Sequence, residues 1–324
     1  MHNSNELLEM VNGAIAALPY DREPKRLYAP VKYVLSLGGK RLRPVLLLMA
    51  YNLYKDSVEK ALPVAVGLET YHNYTLLHDD LMDRAEVRRG KPCVHKVWDE
   101  NTAILSGDFM LVQAYERVAQ CPPEKLARVM DLFTRTAIEI DEGQQYDMDF
   151  ETRMDVSESE YIEMIRLKTS VLLACALKMG AILADAPDDD CEALYRFGEK
   201  IGLAFQVQDD YLDVYGDFKT FGKRIGGDIL CNKKTYMLIN ALQEATDDRL
   251  AELKRWISAT EYEEEEKIRA VTRLYTEIGV DGIAVARINA FYSEAQACLA
   301  KVNLPEERKQ VLWQYAQSML GRSV

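Results

Sequence analysis

The chain has 324 residues, 48 % of them apolar and 28 % charged, and its 40 basic against 52 acidic side chains give a net charge of −12. This mixture, with only 17 Gly and 10 Pro, suits a globular protein and excludes disordered, collagen-like and low-complexity chains. The acidic balance argues against sequence-independent nucleic-acid binding, which needs a phosphate-neutralising surface, and against attraction to anionic lipid.

Apolar periodicity is helical nearly throughout. Short amphipathic patterns cover 5–18 and 25–37, and another covers 43–55 after a break at Gly38 and Gly39. A long pattern over 58–84 carries Pro63 near its start, where a kink is expected. Further helices are expected over 101–120, 124–150, 157–185 and 189–216, then over 233–244, 247–259, 261–277, 279–301 and 305–320. Segments 101–120 and 165–184 are apolar on most sides, as helices inside a bundle are. Alternating strand patterns, solenoid repeats and Gly/Ser/Pro linkers are missing, so the expectation is an all-α fold, a single large helical bundle over 1–324. No window of about 18 apolar residues spans a membrane, and the N-terminal residues lack the basic-then-apolar order of a secretory signal. The six cysteines (93, 121, 175, 191, 231, 298) form no CxxC pair, which reads as reduced thiols in a cytoplasmic protein without a zinc site.

Two acidic motifs stand out, HDDLMD (78–83) and QDDYLD (208–213), each near the end of a long helical pattern. Residues four apart share a helix face, so Asp79 projects with Asp83 and Asp209 with Asp213. Each pair repels itself unless a cation sits between the carboxylates. Hard oxygen donors in small number suit Mg²⁺, which keeps several waters and shares phosphate-bearing substrates. Two solvated helix ends are the plainer alternative, though one that leaves the repetition unexplained. An EF-hand fails on spacing, because Arg84 and Gly90 stand where its Gly and Glu should be. Cations follow or surround these motifs: Lys40, Arg41 and Arg43, then Arg88, Arg89 and Lys91, then Lys168, Lys223, Arg224, Lys233 and Lys234. Arg forks and Lys point charges are the usual partners of phosphate oxygens, so the combination describes a site for a metal-bridged polyanion.

The segments GGKRLRP (38–44), HDDLMD, RRGKP (88–92), Lys168-Thr169, FQVQDDYLD (205–213), GKR (222–224) and GGDILCNKKT (226–235) closely resemble the trans-isoprenyl diphosphate synthases, or polyprenyl synthetase family. The resemblance runs in order from about residue 30 to 240. It implies an isoprenoid-synthase bundle with a deep central cavity, commonly a homodimer, that condenses isopentenyl diphosphate with an allylic diphosphate. Three Mg²⁺ are implied, held by Asp79, Asp83 and Asp209, with Asp80, Asp210 and Asp213 completing the acidic set. Arg88, Lys168, Thr169, Gln206, Lys223 and Lys233 would hold the allylic diphosphate. Lys40, Arg43, His72 and Arg89 would hold isopentenyl diphosphate, and Gln144 and Asp147 match the family's GQxxD pattern near metal-bound waters. His78 fits equally a supporting partner and a packed core histidine, and His95 receives no catalytic role.

The chemistry implied by the resemblance suits these residue types. Ionising a carbon–oxygen bond to diphosphate leaves a highly charged group that Mg²⁺, Arg and Lys stabilise, and an allylic carbocation that needs a dry cavity. Thr169 and Gln206 oxygens would face that cation, the alkene of isopentenyl diphosphate would attack it, and a proton would then leave. The tail would grow along the helix bearing Asp79. Tyr74 and Tyr71, three residues apart, would form a floor, with the 101–120 helix around Phe109 or Gln113 as the alternative. The short DDLMD form leaves farnesyl (C15) and geranylgeranyl (C20) products open, with Tyr71 tilting toward C15. A terpene cyclase would not need the isopentenyl diphosphate contacts, and a silent regulatory subunit tends to lose an aspartate motif.

Overall fold

Four described helix starts carry side chains that accept otherwise unpaired amide groups. Asn3 and Glu6 form a reciprocal capping box on α1 (Ser4–Ala16), and Ser157 and Glu160 repeat it on α8 (Glu158–Ile165). Asp99 caps α6 (Glu100–Val118) and Thr235 caps the helix Tyr236–Glu244. The structure, a computed structural model, describes residues 1–216 and 225–320. Between α1 and α6 lie α2 (Lys25–Ser36), α3 (Leu42–Asn52), α4 (Leu62–Met82) and the short α5 (Val94–Val97). α7 (Leu126–Thr152), α9 (Val171–Leu183) and α10 (Asp188–Tyr215) follow, and beyond α10 the described chain is again helical through Leu320 with short connections.

The all-α expectation holds, with three local departures. Residues 87–92 form a minimal antiparallel hairpin, β1 (Val87–Arg88) against β2 (Lys91–Pro92). Its two turn residues, Arg89 and Gly90, have φ of 52° and 74°, the double positive φ that matches the twist of a tight hairpin. Pro63 does not kink α4, because it sits in the first turn, where a missing N–H removes no helical bond. The expected 157–185 helix is two helices, α8 and α9, joined by a π-helical turn over Arg166–Ser170.

The chain clusters into two compact units: Met1–Thr134 with Cys175–Leu194 and Leu304–Leu312, and the remainder. In the first, Leu46, Leu47, Leu48, Val64, Leu68, Met110 and Ala114 are no more than 1 % exposed. Each such large aliphatic chain contributes about 1.5–3 kcal/mol on burial. α4 lies close along α6, and a β-carbon at Gly107 would fall 2.1 Å from His78 Nε2. In the second unit, Phe197, Val207, Leu274 and Ala284 are fully buried.

Candidate active site

Both acidic motifs occupy helix C-terminal ends: Asp79 and Asp80 the last turn of α4, with Asp83 as its cap residue, and Asp209, Asp210 and Asp213 the last two turns of α10. Backbone carbonyls already make that end partially negative, so carboxylates there are doubly disfavoured without a cation.

In the first unit the Asp79 side chain is 20 % exposed and Asp83 is exposed, whereas Asp80 is buried. The hairpin brings Arg88 over them, with Nε 2.7 Å from Asp80 Oδ1 and Nη2 3.6 Å from Asp79 Oδ2. Burial raises the Asp80 pKa against the opposing pull of Arg88, and Asp80 also bonds the Cys93 thiol. Burial and that carboxylate push Cys93 up to about 12.

On the same unit, Arg43 Nη1 lies 3.1 Å from His72 Nε2. Arg89 donates to the Gly38 carbonyl, and its guanidinium would lie only 2.7 Å from a β-carbon on Gly39. Lys40 is exposed beside them. These groups crowd one another. Burial, then Arg43, Arg89 and Arg88, hold His72 well below its ordinary range, and burial lowers Arg43 to about 10. An arriving polyanion would relieve that repulsion. Arg41 takes a different part from the one its motif suggests: it is buried, 2.8 Å from Glu69 Oε1, while Asn73 donates to the same oxygen at 2.9 Å. The pair fixes GGKRLRP onto α4.

Tyr71 and Tyr74 do meet, with ring centroids 5.5 Å apart, in a column that continues to His78 on one side and to Phe133 and Tyr115 on the other. His78 also approaches the Ile104 carbonyl at 3.2 Å, the packing reading of that histidine. Phe109 packs instead on Tyr28 at 5.1 Å and Tyr20 at 6.2 Å.

In the second unit the π-helical turn presents Lys168 and Thr169. Lys168 Nζ lies 2.6 Å from Asp147 Oδ2, and Thr169 Oγ1 lies 3.5 Å from Gln206 Oε1. Burial would raise Asp147, but Lys233 and Lys168 outweigh it and hold the carboxyl below its usual range. A β-carbon on Gly143 would sit 2.3 Å from the Lys168 backbone nitrogen, so the GQxxD glycine is what lets α7 reach the turn. Asp209 is partly exposed, while Asp210 and Asp213 are buried and engaged with the segment 226–236. Lys223 lies outside the described residues.

Three residues with work in these clusters carried no role in the sequence reading: Glu69, Cys93 and Tyr161. Glu69 lies in an apolar helix pattern, Cys93 directly after the RRGKP turn and Tyr161 among Ser and Glu residues, so no shared spacing or motif marks them. Among the described residues no three His, Cys, Asp or Glu side chains are gathered into a metal cage. Asp79, Asp83 and Asp209 nevertheless fit a hard divalent ion: they are accessible oxygen donors on helix ends that disfavour bare negative charge.

The polyprenyl synthetase family model matches residues 24–275. A geranylgeranyl diphosphate synthase of Methanosarcina mazei is 44 % identical over 236 residues, 72 % of this chain and 73 % of that one. A geranylfarnesyl diphosphate synthase of Natronomonas pharaonis is 40 % identical over 75 % of this chain and 76 % of its own. A crystal structure of a geranylgeranyl pyrophosphate synthase superposes with a TM-score of 0.93 at 42 % identity, covering 100 % of both chains.

Proposed function

Because the chain belongs to the polyprenyl synthetase family, we propose that it is a short-chain isoprenyl diphosphate synthase, joining isopentenyl diphosphate to an allylic diphosphate. The observation that carries this reading is the first unit's pairing of an aspartate motif with the mutually repelling cations Arg43, Arg88 and Arg89 around neutral His72.

Asp79, Asp83 and Asp209 would hold Mg²⁺, with Asp80, Asp210 and Asp213 behind them. The bound ions would neutralise charge as it develops on the departing diphosphate. Lys168, Lys233 and Arg88 would take the oxygens of that same group, joined by Lys223. Lys40, Arg43, His72 and Arg89 would seat isopentenyl diphosphate. Thr169 and Gln206 carry neutral oxygens that do not readily attack, and so would face the allylic cation without quenching it. Alkene attack would then form the new carbon–carbon bond, and a proton would pass to the released diphosphate. The Tyr71–Tyr74 column would stop growth; the Methanosarcina mazei relative's name favours the geranylgeranyl end of the C15–C20 range, while the geranylfarnesyl name of the Natronomonas pharaonis relative lies one C5 unit beyond it.

We place the enzyme in the cytoplasm as a homodimer. Four buried cysteines among six unbridged ones support a reducing compartment, and no described helix is long and apolar enough to cross a membrane. On α6, Leu105 and Val112 are 60 % and 65 % exposed on one face, a stripe that a second copy would cover. Incubation with isopentenyl diphosphate and each of the C5, C10 and C15 allylic starters, with product sizing, tests the reading. Elongation that stops at C15 or C20 is expected. No elongation from any starter with Mg²⁺ present would overturn it.

A further inference from the structure

The carboxylates of QDDYLD bracket one loop. Asp213 accepts from the Asp228 amide at 3.0 Å through Oδ2, and its carbonyl accepts from Gly226 at 2.7 Å, near the start of the segment. Asp210 Oδ2 accepts from the Tyr236 amide at 2.9 Å, at the far end. Between these anchors the Lys233 amide donates to the Asp228 carbonyl at 3.0 Å, and the Thr235 amide donates to the Lys233 carbonyl at 2.9 Å. The backbone on both sides of Lys233 is therefore tied to the second motif. Asn232 and Lys234 add side anchors, to Lys267 at 2.8 Å and to the Glu151 carbonyl at 3.3 Å.

One further group touches this arrangement. The Tyr161 side chain is buried, and its hydroxyl donates to the same Asp210 oxygen that receives the Tyr236 amide. Asp210 is the fixed point through which α8 reaches the start of the helix Tyr236–Glu244. A phenyl ring would fill the same space, so packing alone gives no reason for the hydroxyl. Lys233 in turn acts on the Lys168–Asp147 pair, since its charge helps to lower Asp147.

We propose that Tyr161 is a positioning residue for the allylic diphosphate: by pinning Asp210 it fixes the start of the helix Tyr236–Glu244 and so the place of Lys233. This rests on the isoprenyl diphosphate synthase reading. Tyr161 touches no substrate, and its effect passes through Asp210 and the backbone.

Tyr161→Phe is the direct test, in the full chain. Loss of one donor to a buried acceptor should raise KM for the allylic diphosphate roughly tenfold, with KM for isopentenyl diphosphate within about twofold of wild type. A merely structural hydroxyl would move both constants or neither, and either pattern would overturn the proposal. In the Lys233→Ala background, adding Tyr161→Phe should change the allylic KM little further, because the two act in series. Additive effects would refute the coupling. A second readout needs no substrate: limited trypsin cleavage after Lys233, mapped by fragment mass, should accelerate several-fold in Tyr161→Phe. Asp210→Asn, which opposes an amide to one of its two donors, should accelerate it likewise, and an unchanged rate in both variants would sink the latch. A wild-type enzyme that elongates no starter would instead defeat the functional reading, while the cleavage experiment would still decide the latch.

Discussion

His72 sits among arginines and stays uncharged because a proton there would be both desolvated and repelled. With its pKa well below the ordinary 6.5, the unfolded chain takes up the proton first on acidification. Stability present above about pH 6.5 is therefore lost as pH falls, by up to ~1.4 kcal/mol per pH unit until the folded histidine itself titrates. Thermal unfolding at pH 7.5 and 5.5 should show the wild type losing more stability than His72→Gln. Equal losses would assign the acid sensitivity to other groups. For the same cluster, Arg43→Ala should raise KM for isopentenyl diphosphate by at least about tenfold while barely moving the allylic constant. Equal effects on both would refute the division of labour. Side-chain direction was legible only in part: Asp83 is exposed and Asp80 buried, but Arg88 reaches Asp79 and Asp80 alike, which helix spacing alone does not foresee. Arg41 was not legible. Its neighbours Lys40 and Arg43 look identical in sequence, and only the buried Glu69 partner sets it apart.

At the scale of elements, the π-helical turn shows how a functional feature escapes periodicity. It adds a residue to one turn without interrupting the apolar pattern, so 157–185 reads as one helix although Lys168 and Thr169 owe their presentation to the bulge. The matching mark is on another element, at Gly143, whose missing β-carbon admits the Lys168 backbone. Gly143→Ala should force the two helices apart and cost about 1–3 kcal/mol of stability, with turnover falling by well over tenfold. Turnover near wild type in a folded variant would mean that the turn need not be held so closely. On α4 the three-residue spacing does bring Tyr71 and Tyr74 together, with ring centroids 5.5 Å apart and planes tilted by 54° rather than stacked. Truncating Tyr74 to Ala opens a ring-sized space that an apolar tail fills at roughly 0.8 kcal/mol per buried CH₂. The product should lengthen by one or more C5 units. An unchanged product distribution from a folded, active variant would move the floor elsewhere in the aromatic column, Phe133 included.

Over the whole molecule, the two long helices α4 and α10 each end in carboxylates, and those ends belong to different compact units. In both, negative side chains add to the negative end of the helix dipole, an arrangement that costs stability in the metal-free protein. A site kept for function at the expense of stability has a recognisable signature on mutation. Asp79→Ala and Asp209→Ala should each lower turnover by orders of magnitude at saturating Mg²⁺, because each helix end is expected to hold metal for the same reaction. Neither change should cost more than about 1 kcal/mol in the metal-free protein, since at Asp79 relief at the helix end opposes loss of the 3.6 Å Arg88 pairing, and Asp209 lies above the last turn, where the dipole acts weakly. Circular dichroism melts in EDTA, set beside turnover with Mg²⁺, separate the two effects. A variant that loses both activity and helicity would mark its aspartate as a structural cap. Near-wild-type turnover in either variant would leave only the other helix end as a metal site.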